Sequence, residues 1–191
     1  MYPIDRLKEL IQGKKVAFIG AGVSHKRCIE QFVEMGADVT LCDQKASLED
    51  FGEYADTLRR LNVRLSLGKQ YTDGFRGQDI IMRTPGYEYY KPALQDAIRA
   101  GTMVTSEVEL FFEFCPCEIV AVTGSDGKTT TTPLIAKMFE AAGRKVFLGG
   151  NIGAALLPQL ADVTSDDVAV VELSSFQLIS MRRSPKVAVV T

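Results

Sequence analysis

Glu118-Ile119-Val120-Ala121-Val122-Thr123-Gly124-Ser125-Asp126-Gly127-Lys128-Thr129-Thr130 passes from a β-branched apolar run into a glycine turn and then into a helical pattern. The run from Glu118 to Thr123 reads as a buried strand. After the turn, Leu134, Ile135, Met138, Phe139 and Ala142 recur at helical spacing, and Gly143 is a stop signal. Strand, glycine turn and helix in that order form the first half of a βαβ unit, which calls for a parallel sheet. Such a turn can aim successive amide N–H groups and the positive end of the helix at a phosphate chain. Lys128 stands where a lysine reaches terminal phosphates, and Thr129 where a hydroxyl joins a Mg²⁺ shell. The common loop G-x-x-x-x-G-K-[ST] would need glycine where this chain has Val122, so the loop is the shorter form G-x-x-G-K-T. Pro133 lies a turn inside the helix and is expected to kink it.

Further strands are expected at Lys145–Leu148, Val168–Val171 and Lys186–Val190. Two segments after them carry chemistry. Gly149-Gly150-Asn151-Ile152-Gly153 sets an amide side chain among glycines, where backbone can approach a ligand. Val171-Glu172-Leu173-Ser174-Ser175-Phe176-Gln177 puts a carboxylate just past a strand, a position that suits a Mg²⁺ ligand in a nucleotide site, with hydroxyls at a helix start behind it. The last strand runs into Thr191 with nothing after it, and the expectation from this is a domain cut short.

Upstream a second alternating series is legible, with strands at Val16–Ile19, Val39–Cys42, Val63–Leu67 and Ile80–Arg83. Between the first two, Ile29, Phe32, Val33 and Gly36 fall at helical spacing and are expected to face the sheet. A helix from Pro92 to Ala100 ends at Gly101, a short extended piece covers Met103–Thr105, and Ser106-Glu107-Val108-Glu109 starts another helix with an acidic first turn. The expected division is residues 1–104 and residues 105–191, although no Pro/Gly/Ser-rich linker marks it.

Composition narrows the function. With 46% hydrophobic and 24% charged residues in 191, the chain is of the globular, core-forming class. A net charge of −2 gives no field that would attract nucleic acid, so any phosphate is held locally. No apolar run is long enough to insert in a membrane and the first residues lack a leader pattern, so a cytoplasmic location is expected. Cys28, Cys42, Cys115, Cys117 and the single His25 do not make up a structural zinc set, and the thiols are expected to be ordinary and reduced.

Taken together, Gly124–Thr130, Gly149–Gly153 and the run Glu172-Leu173-Ser174-Ser175-Phe176-Gln177-Leu178 resemble the Mur ligases of peptidoglycan synthesis, the last of them the D-glutamate-adding branch. Gly20-Ala21-Gly22-Val23-Ser24 is similar to that family's uridine-diphosphate loop, and Thr84-Pro85-Gly86 to its Ser/Thr-Pro-Gly turn. The resemblance implies an α/β fold: a Rossmann-like parallel-sheet amino-terminal domain, then an incomplete P-loop-type ATPase domain, the amino-acid-binding domain being absent.

It also implies ATP and Mg²⁺ as cofactors, with UDP-N-acetylmuramoyl-L-alanine and D-glutamate as substrates joined through an acyl phosphate. Gly124, Ser125, Asp126, Gly127, Lys128, Thr129 and Thr130 would bind ATP, Thr129 and Glu172 would hold the metal, and Lys128, Asn151 and Glu172 would be catalytic. The substrate would be held by Gly22, Val23, Ser24, Asp43, Gln44, Thr84, Pro85, Gly86, Asn151 and Ser174. A piece this short would be inactive alone. Two departures from the family pattern are Asp126, where asparagine is usual, and His25-Lys26-Arg27, in place of smaller apolar residues. His25 also stands where a dinucleotide fingerprint needs its third glycine, which disfavours a nicotinamide cofactor. A folylpolyglutamate-synthase-like ligase, a non-catalytic nucleotide-binding module and an oxidoreductase stay open as rivals.

Overall fold

The computed structural model describes residues 2–191. Contacts divide the chain into two compact units, one formed by Lys8–Ser106 and the other by Glu107–Thr191 together with the first residues up to Leu7. The chain opens with α1 (Pro3–Ile11), whose Leu7 and Ile11 are fully buried. That i, i+4 pair is an amphipathic signal within too short a run to stand out in the sequence.

In the Lys8–Ser106 unit five strands form one parallel sheet: β1 (Lys15–Ile19), β2 (Asp38–Asp43), β3 (Arg64–Leu67), β4 (Ile80–Met82) and β5 (Met103–Thr105). Their order is β3-β2-β1-β4-β5. Val16, Ala17 and Phe18 are wholly buried, as befits a central strand covered on both faces. The helices are α2 (Val23–Glu34), α3 (Tyr54–Arg60) and α4 (Pro92–Arg99). Gly101, at φ +91°, closes α4, its N–H donating to Ile98 O while Thr102 N–H donates to Ala97 O.

The face of α2 differs from expectation. The helix ends at Glu34, so Gly36 lies beyond it, exposed and at φ +88°, and Val33 is only half-buried. The buried stripe is His25, Cys28, Ile29 and Phe32, spaced i, i+3, i+4, i+7. A histidine passes for polar in a sequence pattern, yet here it fills the core position.

The second unit begins with α5 (Glu107–Phe114) and continues through β6 (Glu118–Thr123), α6 (Lys128–Ala141), β7 (Val146–Gly150), β8 (Val168–Glu172), α7 (Ser175–Leu178) and β9 (Val187–Val190). Its four strands are parallel, in the order β7-β8-β6-β9. The fold is therefore mixed α/β with parallel sheets, and strand bounds agree with the sequence reading to within two residues.

The face of α6 is a further correction. Leu134 and Met138 are 52% and 68% exposed and Ala142 is exposed, whereas Thr132 and Ala136 are buried and Ile135 and Phe139 partly so. Small residues let this helix sit close to the sheet, and Thr132 is satisfied there because its Oγ1 donates to Lys128 O at 2.8 Å. Pro133 does not interrupt the helix, which runs from Lys128 to Ala141 around it.

Candidate functional site

Ligands of open parallel sheets bind past the carboxyl ends of strands, where neighbouring connections leave in opposite directions. In the second sheet that point lies between β6 and β8: the chain leaves β6 for β7, beyond β8, and leaves β8 for β9, beyond β6. Register sets Glu172 beside both Val122 and Gly150, so the loops after β6, β7 and β8 open at one edge.

The loop after β6 is made possible by two glycines. Gly124 has φ +142° and Gly127 φ +76°, both in the left-handed range, and a Cβ at Gly124 would come within 2.0 Å of Thr191 O. Gly127 is the N-cap of the 14-residue α6, whose first-turn amides and dipole therefore face the loop. Lys128 Nζ lies over the turn and donates to Gly124 O at 2.7 Å and Ser125 O at 3.2 Å. Ser125, Asp126, Thr129 and Thr130 are exposed, and Asp126 O accepts a hydrogen bond from Thr191 Oγ1.

Glu172 is 1% exposed. Its Oε1 accepts from Asn151 Nδ2 at 2.9 Å, and Asn151 N–H donates to the Glu172 carbonyl at 2.8 Å. Its Oε2 is buried without a hydrogen-bond partner among the described residues. A buried, unpartnered carboxylate oxygen is costly, and a hard divalent cation at that atom would offset the cost. Gly150, at φ +98°, makes this approach of β7 to β8 possible, since a Cβ there would lie 2.2 Å from Glu172 O. Ser174 does a structural job: it caps α7, its Oγ accepting from Gln177 N at 3.3 Å while Gln177 Oε1 accepts from Ser174 N at 2.9 Å.

In the Lys8–Ser106 unit the connections diverge between β1 and β4. The carboxyl ends of β1, β2 and β4 border a cleft of about 520 Å³ that includes Gly20, Gly22, Asp43, Gln44, Thr84 and Gly86. Gly22 is the N-cap of α2 and has no side chain to block the helix's first amides. Val23 is 85% exposed at the helix start and Ser24 is half-buried. Asp43 Oδ1 accepts from Lys45 N at 2.9 Å, and Gln44 Nε2 donates to Tyr71 OH at 3.4 Å. The turn holding Thr84, Pro85 and Gly86 is braced from beneath by buried Arg83, whose Nη1 donates to Tyr87 O at 3.1 Å and Thr84 O at 3.3 Å.

A profile of the Mur ligase middle domain matches residues 122–191, and a profile of the Mur ligase MurD-like amino-terminal domain matches residues 14–106. The chain belongs to the Mur ligase family. UDP-N-acetylmuramoylalanine--D-glutamate ligase of Acetivibrio thermocellus is 47% identical over 98% of this chain and 40% of its own length. The protein of that name from Clostridium kluyveri is 43% identical over 98% of this chain and 41% of its own length. The chain thus spans about 40% of the length of the curated relatives it matches. A crystal structure of UDP-N-acetylmuramate:L-alanyl-gamma-D-glutamyl-meso-diaminopimelate ligase from Neisseria meningitides shares the fold, with TM-score 0.51, 20% identity, and coverage of 93% of this chain and 60% of that one.

Within this Mur ligase segment, sequence reading missed the cleft residues Lys45, Phe51, Tyr71, Tyr87 and Lys91. Lys45 Nζ lies 4.5 Å from the Phe51 ring centroid and Lys91 Nζ 4.8 Å from that of Tyr87, which bring two cations to the cleft. Burial, with Tyr71 alongside, pushes the Tyr87 hydroxyl up to about 12, so it stays a neutral phenol. None of the five sits at a motif position; a lysine two residues after a strand-ending aspartate is the faintest of signals. No helix of the described residues is long and apolar enough to cross a membrane.

Proposed function

We propose that this chain is the nucleotide-handling part of an ATP-dependent ligase that joins D-glutamate to UDP-N-acetylmuramoyl-L-alanine. The cleft beside Asp43 takes the uridine-diphosphate end of the acceptor, with Gly22, Val23 and Ser24 presenting helix amides to the diphosphate. Gln44 and the Thr84-Pro85-Gly86 turn border the rest of it. The turn from Gly124 to Thr130 wraps the ATP phosphates. Lys128 exchanges its contacts with Gly124 O and Ser125 O for the β- and γ-phosphates. Thr129 and Glu172 hold Mg²⁺, which supplies charge neutralisation at the phosphates when bound. Asn151 fixes the Glu172 carboxylate through its Nδ2, and with Ser174 it borders the carboxylate that becomes the acyl phosphate. The amine of D-glutamate then displaces phosphate. Residues 1–104 and 105–191 would divide these two tasks.

The observation that carries this reading is the buried Glu172 Oε2, unpartnered at the sheet edge that also holds the glycine turn. The 40–47% identity to D-glutamate ligases supports the choice of substrates. Calorimetric titration of ATP into the chain, with and without Mg²⁺, tests it. Lys128→Ala should weaken binding about 10- to 100-fold, the worth of a lost charge-assisted contact. Glu172→Gln should leave an affinity that no longer responds to Mg²⁺. ATP binding that is unchanged by Lys128→Ala and insensitive to Mg²⁺ in the unaltered chain would refute the assignment.

A further inference from the structure

The end of β6 opposite the glycine turn carries a second reactive feature. Cys115-Pro116-Cys117 connects α5 to β6, and it holds the two sulfur atoms 3.4 Å apart. A disulfide is about 2.05 Å long, so closing the bond needs little more than an ångström of travel. The connector is pinned on both sides. Cys115 N–H donates to Phe111 O at 2.8 Å, and Glu118 is already in the ladder opposite Val168. Pro116 presets the backbone angle between the cysteines.

The two sulfurs are not equivalent. Cys117 is 9% exposed whereas Cys115 is only half-buried. Either sulfur can donate an S–H to the other; Cys115 Sγ lies 3.9 Å from the Cys117 carbonyl, and Cys117 Sγ lies 3.6 Å from the Glu118 carbonyl. The hydrogen bond from the Cys117 thiol stabilises charge on the Cys115 sulfur, so the Cys115 thiol is lowered from its ordinary range, against the effect of its own burial. The same bond and burial push the Cys117 thiol up. A metal site is the rival use of two thiols, but no group of three or more His, Cys, Asp or Glu among the described residues could complete one.

We infer that Cys115 and Cys117 form a reversible dithiol–disulfide site, with the more exposed Cys115 as attacking thiolate, Cys117 as resolving thiol and a low-molecular-weight disulfide as oxidant. In the first step the Cys115 thiolate bonds to one sulfur of the oxidant, whose S–S bond breaks and whose other half leaves as thiolate. That thiolate takes the proton of Cys117. The Cys117 sulfur then bonds to Cys115 Sγ and expels the second half of the oxidant, which leaves as a thiolate and is protonated by solvent. The protein loses two electrons and two protons, and the oxidant is reduced to two thiols. A ring closed across a single residue is strained, so excess monothiol reopens it readily. Buried Cys28 and Cys42 take no part, and burial pushes the Cys42 thiol up to about 12.

The test is incubation of the purified chain with oxidised glutathione, followed by intact mass and peptide mapping under non-reducing conditions. Two of the four thiols should disappear, with a mass loss of two hydrogens, no retained glutathione and a cross-link mapped between Cys115 and Cys117. Dithiothreitol should restore all of them. Cys117→Ser should accumulate one glutathione on residue 115, and Cys115→Ser should react at least about tenfold more slowly. A glutathione adduct that persists on the unaltered chain, loss of thiol at Cys28 or Cys42 in its place, or no loss at all would overturn the inference. Because mapping of the unaltered chain decides the matter, a variant that fails to fold does not block the test.

Discussion

His25 has an imidazole sealed from solvent, its Nδ1–H donating to Gly20 O at 2.9 Å and its ring edge-on to Phe18 at 5.2 Å. Where a dinucleotide fingerprint would use glycine for close helix packing, this chain fills the space with a ring that fastens the start of its own loop. Burial is the main cause that lowers the His25 pKa from 6.5 to about 4, and hydrogen bonds to the Gly20 and Ile19 carbonyls only partly resist it. Because the unfolded chain takes up the proton first, stability from the neutral ring is whole above pH 6.5 and declines as pH falls toward 4. The shift from 6.5 to about 4 corresponds to about 3 kcal/mol. His25→Asn, which keeps a donor but cannot titrate, should be less stable at pH 7, and its gap to the unaltered chain should narrow by about that amount by pH 4. Urea denaturation read by tyrosine fluorescence checks this, since every tyrosine but Tyr2 lies in the unit that holds His25. Parallel stability curves for the two proteins would exclude it.

At the scale of elements, the first turn of α5 does something other than complement its own dipole. Glu107 is 6% exposed, and its Oε1 accepts from Leu157 N at 2.6 Å, capping the 3₁₀ helix Leu157–Asp162 from another element. Burial raises the Glu107 pKa, and the hydrogen bonds from Leu157 and Leu156 only partly offset this. A carboxyl whose folded pKa is raised loses stability as pH climbs above 4.5. Glu107→Gln keeps an acceptor for Leu157 and removes the buried charge, so it should cost less than about 1 kcal/mol at pH 5 and less again at pH 8. Glu107→Ala strands the Leu157 N–H beside a cavity and should cost about 3 kcal/mol by chemical denaturation. Equal losses for the two variants would rule out the capping role.

Elements also mark what the sequence discloses. Strands of a parallel sheet are covered on both faces, so runs such as Val168-Ala169-Val170-Val171 announce themselves. Helix faces do so less well. On α6 the pattern pointed to the bulkier Leu134 and Met138, whereas tight packing against the sheet selected Thr132 and Ala136, whose size rather than hydrophobicity decides the contact. Ser174 and Gln177 were visible as hydroxyl and amide near a helix start, but only coordinates disclose that each satisfies the other.

For the whole molecule, strand order converts scattered motifs into two sites. Gly124, Asn151 and Glu172 meet because β6, β7 and β8 are parallel and adjacent, and the sequence already placed each just past a strand. What it lacked was the orphan oxygen of Glu172 and the two lysines of the first cleft, since neither is a matter of spacing along the chain. Each unit has a buried core of its own, and each candidate site lies within one unit. A ligand that binds only the native form of one unit adds about 2.7 kcal/mol to its stability at 100-fold saturation and leaves the other unit's local openings unchanged. Hydrogen exchange with saturating UDP should therefore slow by about 100-fold around Gly20–Asp43 and stay constant at Gly124–Thr130. Mg·ATP should give the reverse pattern, with protection of Gly124–Thr130 and of the β8 amides leading to Glu172. Protection of the Gly124–Thr130 turn by UDP alone would mean that the uridine nucleotide binds the glycine turn, and the division of labour between the two sheets would fall.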